Sequence, residues 1–149
     1  MGCGIHLHSE VKRNGVWKHH CEAKITRNYA LFAKMADVRN DRRSPITPIS
    51  KPKGLPEDAT ELTKLHSEKY GVDGHSHSWL NAKEISDLHK WIRDETNPKE
   101  WFGGDHSSRW EHQNMPYFMG NFLNGFVDYP EEWTDCGVED VRYVFFFDN

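Results

Sequence analysis

Ile5-His6-Leu7-His8-Ser9-Glu10-Val11-Lys12-Arg13-Asn14-Gly15-Val16-Trp17-Lys18-His19-His20-Cys21-Glu22-Ala23 is the stretch on which the fold turns. Its first part alternates Ile5, Leu7, Ser9 and Val11 with His6, His8, Glu10 and Lys12. A period of two sends successive side chains to opposite faces of a strand. Asn14-Gly15 follows, the pair best suited to the positive φ angles of a two-residue type I′ turn. The spacing predicts a β-hairpin, with residues 16–23 as the return strand.

That turn sets the register. His8 is expected opposite Cys21, Glu10 opposite His19 and Lys12 opposite Trp17. Opposed side chains share a sheet face, so His6, His8, Glu10, His19 and Cys21 are expected to stand together. Imidazole, carboxylate and thiolate are the natural zinc ligands. His6, His8, Glu10 and His19 are therefore candidate ligands for zinc or manganese. The competing expectations are a polar strand facing solvent, as antiparallel sheets commonly present, and a binding face without metal. A one-residue slip would disperse the cluster, because it turns every side chain to the other face.

Outward from the hairpin, Tyr29, Phe32, Ala33 and Ala36 recur at helical spacing and predict a helix over residues 27–38. Residues 40–56 contain Pro45, Pro48, Pro52 and Pro56 and are expected to form a long proline-rich loop, a kind often functional or mobile. A second helix is expected from residue 56 or 57 to Tyr70. His75-Ser76-His77-Ser78-Trp79 is expected in a loop just before a third helix, which Asn81 and Glu84 open as a capping box. Ile85, Leu88 and Ile92 form its apolar stripe, and it is expected to end before Asn97-Pro98. Residues 101–110, with Asp105, His106, Ser107 and Ser108, read as a loop, followed by Glu111 and His112. Phe118, Phe122 and Phe126 predict a helix from 115 or 116 to 126. Val141-Arg142-Tyr143-Val144-Phe145-Phe146-Phe147 is apolar on both faces, the mark of a central strand. The fold class is α+β: a single domain over 1–149, with an antiparallel sheet that includes the N-terminal hairpin and the C-terminal strand, and helices mainly on one face.

Composition narrows the function classes. A chain of 149 residues fits one domain, and six Trp with eight Phe argue against disorder. The net charge of −4 lacks the basic excess of a nucleic-acid binder, so no stable nucleic-acid binding is expected. No apolar run reaches the length of a membrane span. An odd count of three cysteines, with a polar start, leads to the expectation of a reducing cytoplasm and free thiols.

A second constellation is expected around a helix N-terminus, where free N–H groups favour anions. Arg27, Asn28, Arg39, His75, Ser76, His77, Ser78 and Trp79, with His6, are the candidate ligand-binding residues. Arginine pairs bidentately with phosphate or carboxylate, and Trp79 could stack on a base. The plainer alternative has Asn28 capping a helix, the arginines in surface pairs, and the serines bonding local backbone. Nucleophile elbows, P-loops and dinucleotide fingerprints are missing.

Several short motifs occur together and in order: Gly2-Cys3-Gly4-Ile5-His6 with Glu10, Arg27-Asn28-Tyr29 with Phe32, Ala36-Asp37-Val38-Arg39-Asn40, Gly54-Leu55-Pro56 with Asp58, His75-Ser76-His77-Ser78-Trp79-Leu80, and Val141-Arg142 through Phe147-Asp148-Asn149. As a set they span most of the chain, which resembles a family of small proteins of double-stranded DNA phages and prophages. The chain departs at Gly4, where the family pattern has Asp, and His8, His19 and His20 lie outside that pattern. The resemblance implies a phage accessory protein, acting in the cytoplasm of an infected bacterial host. By analogy with such proteins, the leading expectation is binding of an anionic small molecule, a nucleotide-derived immune signal, in the His/Arg/Trp pocket. The alternatives are a small metal-dependent phosphoester hydrolase and a protein inhibitor of a host defence enzyme.

Overall fold

A computed structural model describes residues 2–23, 25, 27–94 and 136–149. The chain forms β1 (Gly4–Arg13), β2 (Val16–Ala23), α1 (Tyr29–Ala36), α2 (Glu61–Tyr70), a 3-10 turn (Gly71–Asp73), β3 (Gly74–Asn81), α3 (Ala82–Asp94) and β4 (Asp140–Asp148). The strands make one sheet in the order β2-β1-β4-β3. Every neighbouring pair is antiparallel, so the fold is α+β as expected.

β4 lies between β1 and β3, and it is apolar on both sides because α1 and α3 pack on one face of it and α2 on the other. Val141, Tyr143, Phe145 and Phe147 join Ile5, Leu7 and Val11 of β1 in one core with Leu31, Phe32 and Met35 of α1 and Ile85, Leu88 and Ile92 of α3. Each fully buried aliphatic or aromatic side chain contributes about 1.5–3 kcal/mol. Phe146 points the other way and packs under α2, against the rings of His66 and Tyr70. Among the described residues, two helices thus cover one face and α2 covers the second.

Local signals account for several boundaries. Asn28 caps α1, its Oδ1 accepting from Leu31 N at 3.1 Å, and Asp37 ends that helix in the left-handed conformation at φ 60. The helix is therefore shorter than residues 27–38. At α3 the capping box forms as read: Glu84 N donates to Asn81 Oδ1 at 2.9 Å, and Asn81 N donates to Glu84 Oε1 at 3.1 Å.

Two expectations are corrected. α2 starts at Glu61 rather than at 56 or 57, because Pro56 and Ala59 close a turn of their own and Thr60 is drawn onto Glu10. The segment around His75–Ser78 is not a loop but part of strand β3, paired along β4. Its polar sequence has no alternating apolar signal; the buried partner strand supplies the order that propensity does not. The proline-rich stretch has no helix or strand, yet it is tied down where Ile49 N donates to Lys34 O and Gly54 N to His77 O. The loop read at 101–110 and the helix read at 115–126 lie outside the described residues. No helix among the described residues is long and apolar enough to cross a membrane.

Candidate functional site

The face of the sheet under α2 is polar, and two β-bulges decide what it contains. The hairpin register holds from Arg13↔Val16 to Glu10↔His19, then shifts by one, so that Ser9 pairs with Cys21 and His8 with Glu22. His20 is the extra residue of a bulge. The expected pairing of His8 with Cys21 is therefore corrected: the bulge turns Cys21 away and brings Glu22 onto the α2 face. Nothing in the alternation of residues 16–23 marks this site. Ser9 Oγ lies 2.9 Å from His20 Nδ1, a contact that helps hold it.

Above Glu22, α2 delivers His66. The ligand atoms of His6, Glu22 and His66 all lie within 4.8 Å of one another. Tetrahedral bonds of about 2.0–2.2 Å set zinc ligands roughly 3.4 Å apart, so modest side-chain rotation closes this set around an ion. Both imidazoles are hydrogen-bonded to neighbours. His6 Nε2 donates to Asp148 Oδ1 at 3.1 Å, and His66 Nδ1 shares a hydrogen bond of 2.7 Å with His8 Nε2. For His6, the Asp148 carboxylate is the kind of outer partner that metal-bound histidines show; for His66, the nitrogen that meets His8 is also the one 3.8 Å from Glu22 Oε1. The row continues, with His8 Nδ1 at 2.9 Å from His19 Nε2. Burial, followed by the neighbouring His66, lowers the pKa of His8 to about 4, so His8 stays neutral and can accept one hydrogen bond while donating another. Phe146 floors the cluster, with the rings of His6 and His77 stacked on it.

Of the four expected ligands, His6 is in this set, while His8 and His19 form the row behind His66. Glu10 is occupied elsewhere. It is fully buried; its Oε1 accepts from Arg142 Nε at 2.8 Å, and its Oε2 accepts from Thr60 N, Thr60 Oγ1 and Thr63 Oγ1. Burial alone would raise its pKa, but the bonds from Thr60, Arg142 and Thr63 outweigh burial and hold it below the usual carboxylate range. Arg142 also donates to the carboxylate and the carbonyl of Asp58, and its guanidinium lies 4.0 Å over Trp17.

The second bulge divides the expected anion pocket. Ser76 has φ 53, and the β3–β4 register breaks between His75 and Ser78. His75 and His77 consequently face opposite sides of the sheet. His75 stacks on Phe147 and its Nε2 lies 3.2 Å from Asn149 Oδ1, which also accepts from Arg39 Nη2 at 3.3 Å. Arg27 is nearby, its Nε donating to Cys3 O. His77 instead meets Ser67 of α2 at 3.0 Å. Ser78 is buried and its Oγ accepts from Lys53 N, while the Lys53 ammonium sits 4.1 Å over the Trp79 ring. Asn28 is the cap of α1. The structure brings together Arg27, Arg39 and His75 and places His77, Ser78 and Trp79 apart from them. Beside Arg39 is a cavity of about 440 Å³ lined by Asp37, Arg39, Asn40, Asp41, Arg42 and Pro45. Asp105, His106, Ser107, Ser108, Glu111 and His112 lie outside the described residues.

Sequence reasoning missed Glu22 and His66. His66 sits in a helix with no apolar stripe to orient it, and Glu22 reaches the face only through the bulge. In comparisons with protein-family models, curated proteins and solved structures, nothing matches this chain.

Proposed function

We propose that the protein is a small metal-dependent hydrolase of phosphoesters, with zinc or manganese held by His6, Glu22 and His66. The observation that carries this reading is the convergence of two imidazoles and one carboxylate, donated by β1, β2 and α2, within 4.8 Å. Two histidines and a carboxylate are a common catalytic zinc set, leaving a coordination position for water or substrate. A bound ion supplies hydroxide near neutral pH and polarises a phosphoryl oxygen. Glu22 is the exposed member of the three, which leaves the site open to solvent on that side. The motif resemblance adds the context of a phage accessory protein acting inside its host.

A second reading, capture of an anionic, nucleotide-like small molecule without turnover, is favoured by Arg39 and His75 converging on one oxygen beside the 440 Å³ cavity. Cavities of this size hold small ligands.

Native mass spectrometry of protein purified without chelator separates the two. A zinc or manganese increment of one ion per chain, lost in His66→Ala, with turnover of a phosphodiester panel abolished by chelator, is the expected result. A nucleotide-sized increment with no turnover favours capture. Failure of the apoprotein to take up either metal at micromolar concentration sinks the hydrolase.

A further inference from the structure

The hold on α2 is unusual for a helix covering a sheet. Thr63 is its one buried residue, and Leu62 and Leu65 are 59% and 53% exposed. Its apolar seat is small, the rings of His66 and Tyr70 on Phe146, whereas most protein helices owe their stability to the packing of a full apolar stripe. Its N-cap residue, Thr60, makes no side-chain capping bond to its own helix. The capping acceptor comes from the sheet instead: Glu10 Oε2 takes the Thr60 N–H at 2.9 Å, the Thr60 hydroxyl at 2.6 Å and the Thr63 hydroxyl at 2.9 Å. A carboxylate at a helix N-terminus also opposes the positive end of the macrodipole. Arg142 fixes the other oxygen of Glu10 and holds Asp58, just before the helix.

His66 lies three residues beyond Thr63, one turn along the same helix face. We propose that Glu10 is a positioning residue: by capping α2 from β1, it sets the height and rotation at which α2 presents His66 to His6 and Glu22. The proposal rests on the metal reading above. Hydrogen bonds are directional, and with only the ring contacts on Phe146 and the Ser67–His77 bond to hold the rest of the helix, a loss at the cap moves His66 with its N-terminal turns. Glu10 does not touch the ion; it acts through α2.

The test uses the full chain, zinc alone as the probe, and the variants Glu10→Gln, Thr63→Val and Thr63→Ser. Zinc affinity is read by competition with a chromophoric chelator, and hydrogen exchange reads residues 61–70. The expected result is a loss of affinity of about tenfold or more in Glu10→Gln and Thr63→Val, the scale of outer-shell effects. Exchange rises in α2 while the β1 and β4 amides keep their protection. Thr63→Ser, which restores the hydroxyl, returns both readouts to near wild type. Unchanged zinc affinity in Glu10→Gln, or exchange rising equally across the sheet, overturns the positioning role while leaving the metal reading standing. A wild-type protein that binds no zinc overturns the metal reading and the role together.

Discussion

His8 on β1 faces Glu22 on β2, because the register skips His20, the extra residue between His19 and Cys21. That relationship puts a carboxylate, rather than the Cys21 thiol, on the histidine face. Cys21 sits half-buried, its Sγ bonded to the neighbouring Glu22 carbonyl.

Deleting His20 is expected to regularise the ladder without moving Glu22 from opposite His8, since the residue removed is the extra one. Zinc affinity should stay within about threefold of wild type, because the outer-shell partners, whose loss costs tenfold or more, remain in place. Glu22→Gln should abolish tight binding and Cys21→Ser should not. Isothermal titration with zinc checks all three, and a zinc affinity lost in Cys21→Ser would show the register to be wrong.

Stability should fall on acidification. The pKa of His8 is depressed from 6.5 to about 4, so the unfolded chain takes up a proton on His8 before the folded one does. The contribution is fully present above pH 6.5, shrinks as pH drops toward 4, and then levels off. Its size is on the order of 3 kcal/mol. Burial lowers the pKa of His77 and His20 too, with the same sign. Urea unfolding at a series of pH values should show this slope, flatter in His8→Asn. An equal slope in the variant would remove His8 as its source.

Arg142→Met should destabilise the fold by about 3–5 kcal/mol, the cost of leaving a buried carboxylate without its partner. Glu10 is 0% exposed and Arg142 4%, so water cannot replace the lost bonds. The double change Glu10→Met with Arg142→Met should cost less than the single one. Chemical denaturation of the two variants decides this; a double variant no more stable than Arg142→Met contradicts it.

At Ser76, φ 53 sits in the left-handed region that disfavours side chains, at about 1–2 kcal/mol. Ser76→Gly should be neutral or slightly stabilising, although its bond to His75 Nδ1 is lost. Ser76→Val should be destabilising by at least the same 1–2 kcal/mol, because a β-branched residue tolerates φ > 0 poorly. Thermal melts of both variants test the bulge that separates His75 from His77.

Much of the frame was legible because its causes are local. Alternation from Ile5 to Val11 and the Asn14-Gly15 turn define the hairpin. Asn28 and the Asn81–Glu84 box mark two helix starts, and the uninterrupted apolar run from Val144 to Phe147 announces a strand covered on both faces. Each rests on residues a few positions apart, whose backbone preferences and hydrogen bonds need no distant partner.

The site was decided by the tertiary structure. Glu10, readable as a metal ligand, is consumed by Arg142, Thr60 and Thr63, residues 50 to 132 positions away. His66 meets His8 across 58 positions. Two single-residue bulges, at His20 and Ser76, turn Glu22 onto the histidine face and separate His75 from His77. A strand reverses its facing with one extra residue, and the energy that favours the extra residue comes from neighbours brought in by the fold. The sequence by itself therefore determined the hairpin, the caps and the central strand. Which of its histidines and carboxylates meet was left to long-range packing, because no local pattern encodes a bulge or the seat of a helix without an apolar stripe.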